Sequence, residues 1–175
     1  TIAMTVAGAA SIAGATAITG GTDAVAATTT LTVTGNSTFT GALTLTGGSA
    51  AATADAILNL NGATVAFTGG LTMDDTTTNG DAVLNLTPTA AQAVSGTIVG
   101  TADGEGSIVV AGGTNLTTFA GAIGATTTSL LAITVGTAAA GGNAKFSAAV
   151  DAVTILVEGE NAANAAADFD STVTA

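Results

Sequence analysis

Two short motifs recur along the whole of this chain, each about once every 27 residues. The first motif reads apolar-x-apolar-x-turn, as in LTVTG and LNLNG. A fixed period kept along a chain is the signature of a repeat architecture. The sequence therefore predicts one repeat-built domain over residues 1–175. The copies of the first motif begin at Met4, Leu31, Leu58, Leu84, Ile108, Ile133 and Ile155.

The second motif reads apolar-x-small-x-apolar and follows the first motif in every repeat, as in TFTGALTL and AFTGGLTM. Its first positions are Ile12, Phe39, Phe67, Val94, Phe119, Phe146 and Phe169. Side chains alternate between the two faces of a strand. We therefore expect the Phe, the small residue and the next apolar residue to share an inward face. The small residue would leave room for the neighbouring ring, and the rings would form a single buried stack of Phe39, Phe67, Phe119 and Phe146.

Two all-β architectures suit a repeat of strand, turn, strand and return. GN at Gly35–Asn36 and NG at Asn61–Gly62 are typical of antiparallel hairpins. Such hairpins would build a β-sandwich whose first strand, TIAMTV, is donated to a neighbour. A parallel β-solenoid of about seven coils would instead stack equivalent residues, for example Asn59 over Asn85 in an amide ladder. Because hairpins give no reason to keep such a register between repeats, the sequence favours the parallel β-solenoid.

Composition excludes several classes of function. The net charge is −11, and Lys145 is the only basic residue. Nucleic-acid binding is excluded, because phosphate contacts need clustered Lys and Arg. The chain has no His, Cys or Arg, so the usual nucleophile–base pairs of enzymes cannot form and we expect no enzyme activity and no cofactor. Frequent Thr, Ser and Gly argue against membrane insertion.

The phrases TFTGALTLTGG, VAFTGGLTM and TTFAGAIGATTT occur in an acidic chain that is rich in Ala, Thr and Gly and lacks Cys. In these features the chain resembles the repeats of giant secreted proteins of bacterial cell surfaces. That group includes autotransporter and adhesin passengers and Ala/Thr-rich surface-layer proteins. The resemblance implies an extracellular, cell-surface protein with a structural or adhesive role, and it adds a cell-surface glycan to the candidate partners. The calcium-binding GGxGxD repeat of related proteins is absent.

Three acidic residues recur at one position of the repeat. Asp55, Asp81 and Glu105 each lie three residues before the start of a first motif. In a parallel solenoid they would form a row with a spacing of about 4.8 Å. Like charges at that distance repel unless a cation or water screens them. The row predicts either a calcium site, to which nearby carboxylates would add oxygens, or a solvated acidic rim.

The repeat is in phase at both ends of the chain. Terminal coils expose unpaired backbone edges, which solenoids usually cover with an atypical polar cap. No such cap is visible in this sequence, so we expect head-to-tail self-assembly into a fibre or surface layer. The apolar positions that would meet are Met4, Val6 and Ile12 in the first repeat and Ile155, Val157, Phe169 and Val173 in the last.

A binding module is the alternative to a structural role. It would be an adhesin segment or an ice-binding surface built from Thr ranks such as Thr32 and Thr34. The Thr ranks do not persist, since the position of Thr32 is taken by Asn59, Asn85 and Val109 in later repeats. High Thr content is also common in strands that have one solvated face.

Overall fold

The computed structural model describes residues 2–21, 27–48, 54–75, 80–159 and 164–175. Within these ranges every regular element is a β-strand, and all strand pairings are parallel. The strands wind into a β-solenoid of about six turns, which confirms the predicted fold class and its parallel arrangement. Three sheets run along the stack of coils, so each coil is a triangle with a sheet on each side.

The first sheet contains the longest strands of the coil. Its members are β1 (Ile2–Val6), β4 (Thr29–Val33), β7 (Ala56–Leu60), β10 (Ala82–Leu86), β13 (Ser107–Val110), β15 (Leu130–Val135) and β17 (Val150–Val157).

The second and third sheets complete each coil. The second sheet contains β2 (Ala10–Ile12), β5 (Ser37–Phe39), β8 (Thr64–Phe67), β11 (Gln92–Ser95), β14 (Leu116–Phe119), β16 (Asn143–Phe146) and β18 (Ala166–Phe169). The third contains β3 (Thr16–Thr19), β6 (Leu43–Thr46), β9 (Leu71–Asp74) and β12 (Ile98–Gly100). Single bridges through Ile123 continue its row to the start of β17, which pairs with β19 (Val173–Thr174).

The first motif aligns in the first sheet as the sequence predicts. Its seven starting residues lie side by side from Met4 to Ile155 without a slip. The amide ladder is also present, because the Asn85 Nδ2 donates to the Asn59 Oδ1 at 3.0 Å. The Asn59 Nδ2 in turn donates to the Thr32 Oγ1 at 3.1 Å. Equivalent residues of successive coils therefore bond to one another along the solenoid axis.

The core is a single apolar cluster enclosed by the three sheets. It consists of columns, each a line of equivalent inward side chains from successive coils. Alternate residues of each strand point inward, and in the middle coils these are fully buried Leu, Val, Ile, Met and Phe side chains. Burial of one such side chain contributes about 1.5–3 kcal/mol. Since each coil covers the apolar face of its neighbour, the coils stabilise one another rather than folding singly.

The phenylalanines are buried as expected, but they form two stacks and not one. Phe39 and Phe67 are stacked with ring centroids 5.6 Å apart. A second stack joins Phe119 to Phe146 at 4.9 Å and Phe146 to Phe169 at 4.8 Å. The prediction of one continuous stack is therefore wrong.

The break between the two stacks lies at β11. Val94 was expected beside Phe67, but it lies beside Val65. Leu60 and Leu86 pair with each other in the first sheet. From that pair the chain takes five residues to reach Val65 but eight residues to reach its partner Val94. The corner before β11 is thus longer, and it shifts the strand by two residues relative to the motif.

The small residue of the second motif does not make room for a ring. Gly41 lies at the corner between β5 and β6, so Phe39 and Leu43 belong to different sheets. A Cβ on Gly41 would lie 2.4 Å from the backbone carbonyl carbon of Gly14, and one on Gly69 would lie 2.4 Å from that of Gly41. Glycine is needed because the backbones of successive coils touch at this corner. This corrects the expected inward position of the glycine.

Candidate assembly surfaces and the acidic corner

The N-terminal end of the solenoid is an open apolar face. β1, β2 and β3 are the edge strands of the three sheets. Met4 and Val6 continue the buried columns of Leu31 and Val33, but Met4 is 62 % exposed. Ile12 continues the column of Phe39 and is packed against the core from one side only.

These side chains border an open groove of about 360 Å³. Ile2, Met4, Val6, Ile12 and Ile18 contribute to its lining. The parts of the first two coils that the structure describes, residues 2–21 and 27–48, contain no charged side chain. The N-terminal face is therefore both apolar and electrically neutral across the described residues.

The C-terminal end exposes the other side of the same columns. Ile155 and Val157 lie beside Ile133 and Val135, and Val157 is 45 % exposed. Phe169 is half-buried against Phe146, and Val173 is 41 % exposed beside Val150. All seven residues that the sequence predicted to meet in self-assembly thus lie on the two end faces: Met4, Val6, Ile12, Ile155, Val157, Phe169 and Val173.

The last coils carry charge, unlike the described residues of the first two coils. The Lys145 Nζ lies 3.0 Å from the Asp168 carboxylate and 2.8 Å from the Asp170 carboxylate. The hydrogen bonds to Asp170 and Asp168 raise the pKa of Lys145 above its usual value. Because these groups are exposed, the ion pairs contribute little to stability. The end coil nevertheless keeps a net negative charge, with Glu158 adding to it.

Acidic residues line one corner of the solenoid, between the third sheet and the first. Asp55 and Asp81 lie on neighbouring coils, and the Asp81 backbone N–H donates to the Asp55 Oδ1 at 3.3 Å. Glu105 follows in the next coil, but its carboxylate accepts bonds from the Thr101 hydroxyl and, at 2.9 Å, from the Ala102 N–H. The Glu105 carboxylate is therefore hydrogen-bonded within its own turn.

The Asp75 carboxylate is hydrogen-bonded to the backbone of the next two coils. Its Oδ1 accepts a 2.6 Å bond from the Ala82 N–H, and its Oδ2 accepts a 2.8 Å bond from the Gly106 N–H. Burial raises the pKa of Asp75, and the charges of Asp81 and Glu105 raise it further, although the two backbone bonds act in the opposite direction. Asp75 thus ties together three successive coils. Sequence reasoning placed Asp75 among the carboxylates near the predicted calcium site and did not predict these backbone bonds.

The predicted calcium site was assigned to Asp55, Asp81 and Glu105. Among the residues that the structure describes, no group of three or more acidic side chains has an arrangement that could hold a metal ion. Backbone and hydroxyl groups occupy carboxylate oxygens that a cation would otherwise use. Calcium binding at this corner stays a prediction.

A second cavity, of about 310 Å³, lies near the C-terminal end. Asp103, Ser129, Asp151 and Val153 are among its lining residues. The Ser129 hydroxyl donates to the Asp103 carboxylate and accepts a 3.0 Å bond from the Gly104 N–H. The polar groups of this cleft are thus largely engaged with one another.

No protein-family model, curated protein or solved structure matches this chain. Across the described ranges, no helix has the length and hydropathy needed to cross a bilayer. The case for a function therefore comes from the geometry of the coils and their end faces.

Proposed function

We propose that this protein is an extracellular structural building block that assembles head to tail into a fibre or surface layer. The observation that carries the proposal is that the two end faces continue the same inward columns in the same register. Ile155 belongs to the column of Met4, and Phe169 belongs to the column that begins at Ile12, apart from the shift at β11. A second chain placed on the C-terminal end would thus extend the solenoid by further coils.

The contact would combine backbone and side-chain pairing. At a coil spacing of about 4.8 Å, β1 of one chain would pair with β17 of the next, as parallel strands pair inside the solenoid. Val157 would cover Val6, and Ile155 would cover Met4. Phe169 would enter the open groove at the N-terminal end, beside Ile12. Each apolar side chain removed from water contributes about 1.5–3 kcal/mol.

Charge favours the head-to-tail arrangement over contact between two C-terminal ends. Two C-terminal faces would bring the carboxylates of Glu158, Asp168 and Asp170 towards those of the other copy, and like charges repel. A C-terminal face against the N-terminal face, whose described residues carry no charge, avoids that repulsion. A heterologous contact of this kind propagates when it does not close into a ring.

The extracellular, cell-surface location belongs to the same proposal. It rests on the resemblance of the repeat phrases to those of secreted bacterial surface proteins. An adhesin or ice-binding module remains the competing function. The outer row of the first sheet does not favour the ice-binding form, since Asn59, Asn85 and Val109 interrupt the Thr rank.

A charge on the N-terminal face tests the assembly. We expect purified wild-type chain to form filaments or lattices in electron microscopy. Met4→Lys should raise the critical concentration at least about tenfold, because about 1.4 kcal/mol corresponds to a factor of ten and the substitution both removes apolar contact and buries a charge. The matched control is Thr5→Lys, on the same strand but on its opposite face, which should assemble like wild type.

Circular dichroism of Met4→Lys should match wild type, since the side chain of Met4 is already 62 % exposed in the single chain. Monomeric wild-type protein with intact β-structure at high concentration would contradict the proposal and favour a binding module. Equal loss of assembly in Thr5→Lys would show that added charge, and not the end face, is responsible.

A further inference from the structure

Lys145, the only basic residue of the chain, lies next to the edge strand at the C-terminal end. It belongs to β16, and its partner in the strand register is Asp168 on β18, the last strand of the second sheet. The Lys145 Nζ lies 3.0 Å from the Asp168 carboxylate and 2.8 Å from the Asp170 carboxylate. The single cation of a chain with 12 acidic residues thus binds two acids of the edge that would dock.

The proposed junction brings these acids next to the following chain. β18 and β2 are the opposite edges of the second sheet, so they are the strands that would pair between copies. With Phe169 beside Ile12, the same register puts Asp168 beside Ser11. Neighbouring strands lie about 4.8 Å apart. Asp168 would then lie between Lys145 of its own chain and Ser11 of the next.

Docking changes the surroundings of the two carboxylates. In the single chain they face water, since the side chain of Asp168 is 67 % exposed and that of Asp170 is 46 % exposed. A docked strand removes water from one side of them. Removing water from a charged group is unfavourable unless an opposite charge compensates for it. The N-terminal face of the next chain has no basic residue, so the compensation comes from Lys145 alone.

The two ion pairs also hold the carboxylates in place. Both carboxylates bind the side chain of an inner strand, β16, on the side away from the free edge of β18. Because they share one Nζ, Asp168 and Asp170 lie close together, and without the cation they would repel each other. Lys145 therefore both neutralises the acids and keeps them away from the edge where β2 would pair.

We propose that Lys145 is a positioning residue that makes the C-terminal edge competent for docking, by neutralising and retaining Asp168 and Asp170. The inference rests on the head-to-tail assembly proposed above and names a residue that controls it. Between solvated groups of a single chain such ion pairs have little effect. At the junction, where water is displaced, the same charges interact more strongly.

Replacement of Lys145 by Gln tests this role through the critical concentration for assembly. In about 10 mM salt, where the Debye length is about 30 Å, exposed charges are weakly screened. There Lys145→Gln should raise the critical concentration about fivefold, as expected for the loss of two exposed ion pairs. In about 1 M salt, where the Debye length is about 3 Å, most of this difference should disappear.

Ala66→Glu is the matched control. It changes the net charge by the same amount on the outer face of the same sheet, but in the middle of the solenoid. We expect it to assemble like wild type, because the position is far from both end faces.

A second variant supplies the missing cation from the next chain. Ser11→Lys, added to Lys145→Gln, would place an ammonium group beside Asp168 across the junction. Ser11 is exposed on β2, so the new side chain stays in water in the single chain. The critical concentration should return to within about twofold of wild type. Because Ser11 lies at the opposite end of the solenoid, this rescue acts only between chains.

Equal critical concentrations for wild type and Lys145→Gln in low salt would overturn the role of Lys145. An equal rise in Ala66→Glu would overturn it too, since net charge alone would then be responsible. Failure of Ser11→Lys to rescue would show that the effect does not act across the junction, and would also overturn it. Each of these results leaves wild-type head-to-tail assembly intact. Absence of any wild-type filament would instead overturn head-to-tail assembly, and the role of Lys145 with it.

Discussion

Asp75 shows how a single carboxylate can serve several coils at once. Its two oxygens accept the backbone N–H groups of Ala82 and Gly106, which belong to the next two coils. No neutral side chain of this size offers two acceptors in that geometry. The arrangement has a cost, because burial and the negative charges of Asp81 and Glu105 disfavour the ionised form.

Replacement of Asp75 by Ala should destabilise the fold, and more so in acid. Loss of the two acceptors should lower the free energy of unfolding by about 1–3 kcal/mol at pH 4. In the folded state the pKa of Asp75 is raised above the usual 3.8, so the wild-type group gains stability as the pH falls through the folded pKa. At pH 7 the substitution also removes an unfavourable buried charge. The difference in free energy of unfolding between wild type and variant should therefore be smaller at pH 7 than at pH 4.

Urea unfolding of both proteins between pH 7 and pH 4 measures this difference. Glu158→Ala removes an equal charge from the last coil and controls for net charge. A gap between wild type and Asp75→Ala that narrows as the pH falls would contradict the assigned direction of the pKa shift.

At the scale of the strand, β11 is the exception to the repeat. Its shift by two residues brings Gln92 to a buried position, with only 2 % of its surface exposed. The Gln92 Nε2 donates to the Leu60 carbonyl at 3.1 Å and to the Gly62 carbonyl at 2.7 Å, both in the preceding coil. At the equivalent position one coil further on, a backbone group makes this bond: the Ala111 N–H donates to the carbonyl of Leu86, the residue that pairs with Leu60. The Gln92 side-chain amide thus supplies hydrogen bonds to backbone carbonyls at the corner where β11 is shifted.

Gln92→Leu keeps the volume of the side chain but removes its amide. We expect a loss of about 1–3 kcal/mol in the free energy of unfolding for each carbonyl left without a partner. Thermal and denaturant unfolding measure the effect. Ala93→Leu, at the neighbouring outward position, adds apolar volume without touching these carbonyls and should stay close to wild type. Equal stability of the two variants would show that Gln92 fills space and does not hold the shifted strand.

At the scale of the whole molecule, charge is distributed unevenly along the solenoid axis. The described residues of the first two coils are uncharged, whereas the last coil carries Asp168, Asp170 and Glu158. The two ends are therefore different in charge but matched in apolar columns. This polarity disfavours a contact between two C-terminal ends.

A mixing experiment distinguishes contact between unlike ends from contact between like ends. Met4→Lys blocks the N-terminal face and leaves the C-terminal face intact, while Val173→Lys does the reverse. Each variant alone should stay monomeric, and an equimolar mixture should form a dimer and stop there. Analytical ultracentrifugation measures the outcome. Homodimers of either variant alone would contradict the head-to-tail contact.

The period of the apolar residues in the sequence was enough to predict the parallel coil and most of its register. Met4 to Ile155 align without a slip because each strand must turn its Leu, Val or Ile inward, and a one-residue slip would expose them. The seven end-face residues followed from the same columns. They could be named in advance because an inward column must emerge at each end of the stack.

Only the tertiary structure decided where that period fails. The longer corner before β11 is compensated by a shorter one after it, so the spacing between motifs hides the shift of Val94. The packing of Gly41 on Gly14 and the bonds of Asp75 join residues from different coils, and the pattern within one repeat does not record them. Apolar periodicity reports which face of a strand is buried. Corner geometry and the contacts of polar groups depend on how the backbones of neighbouring coils meet.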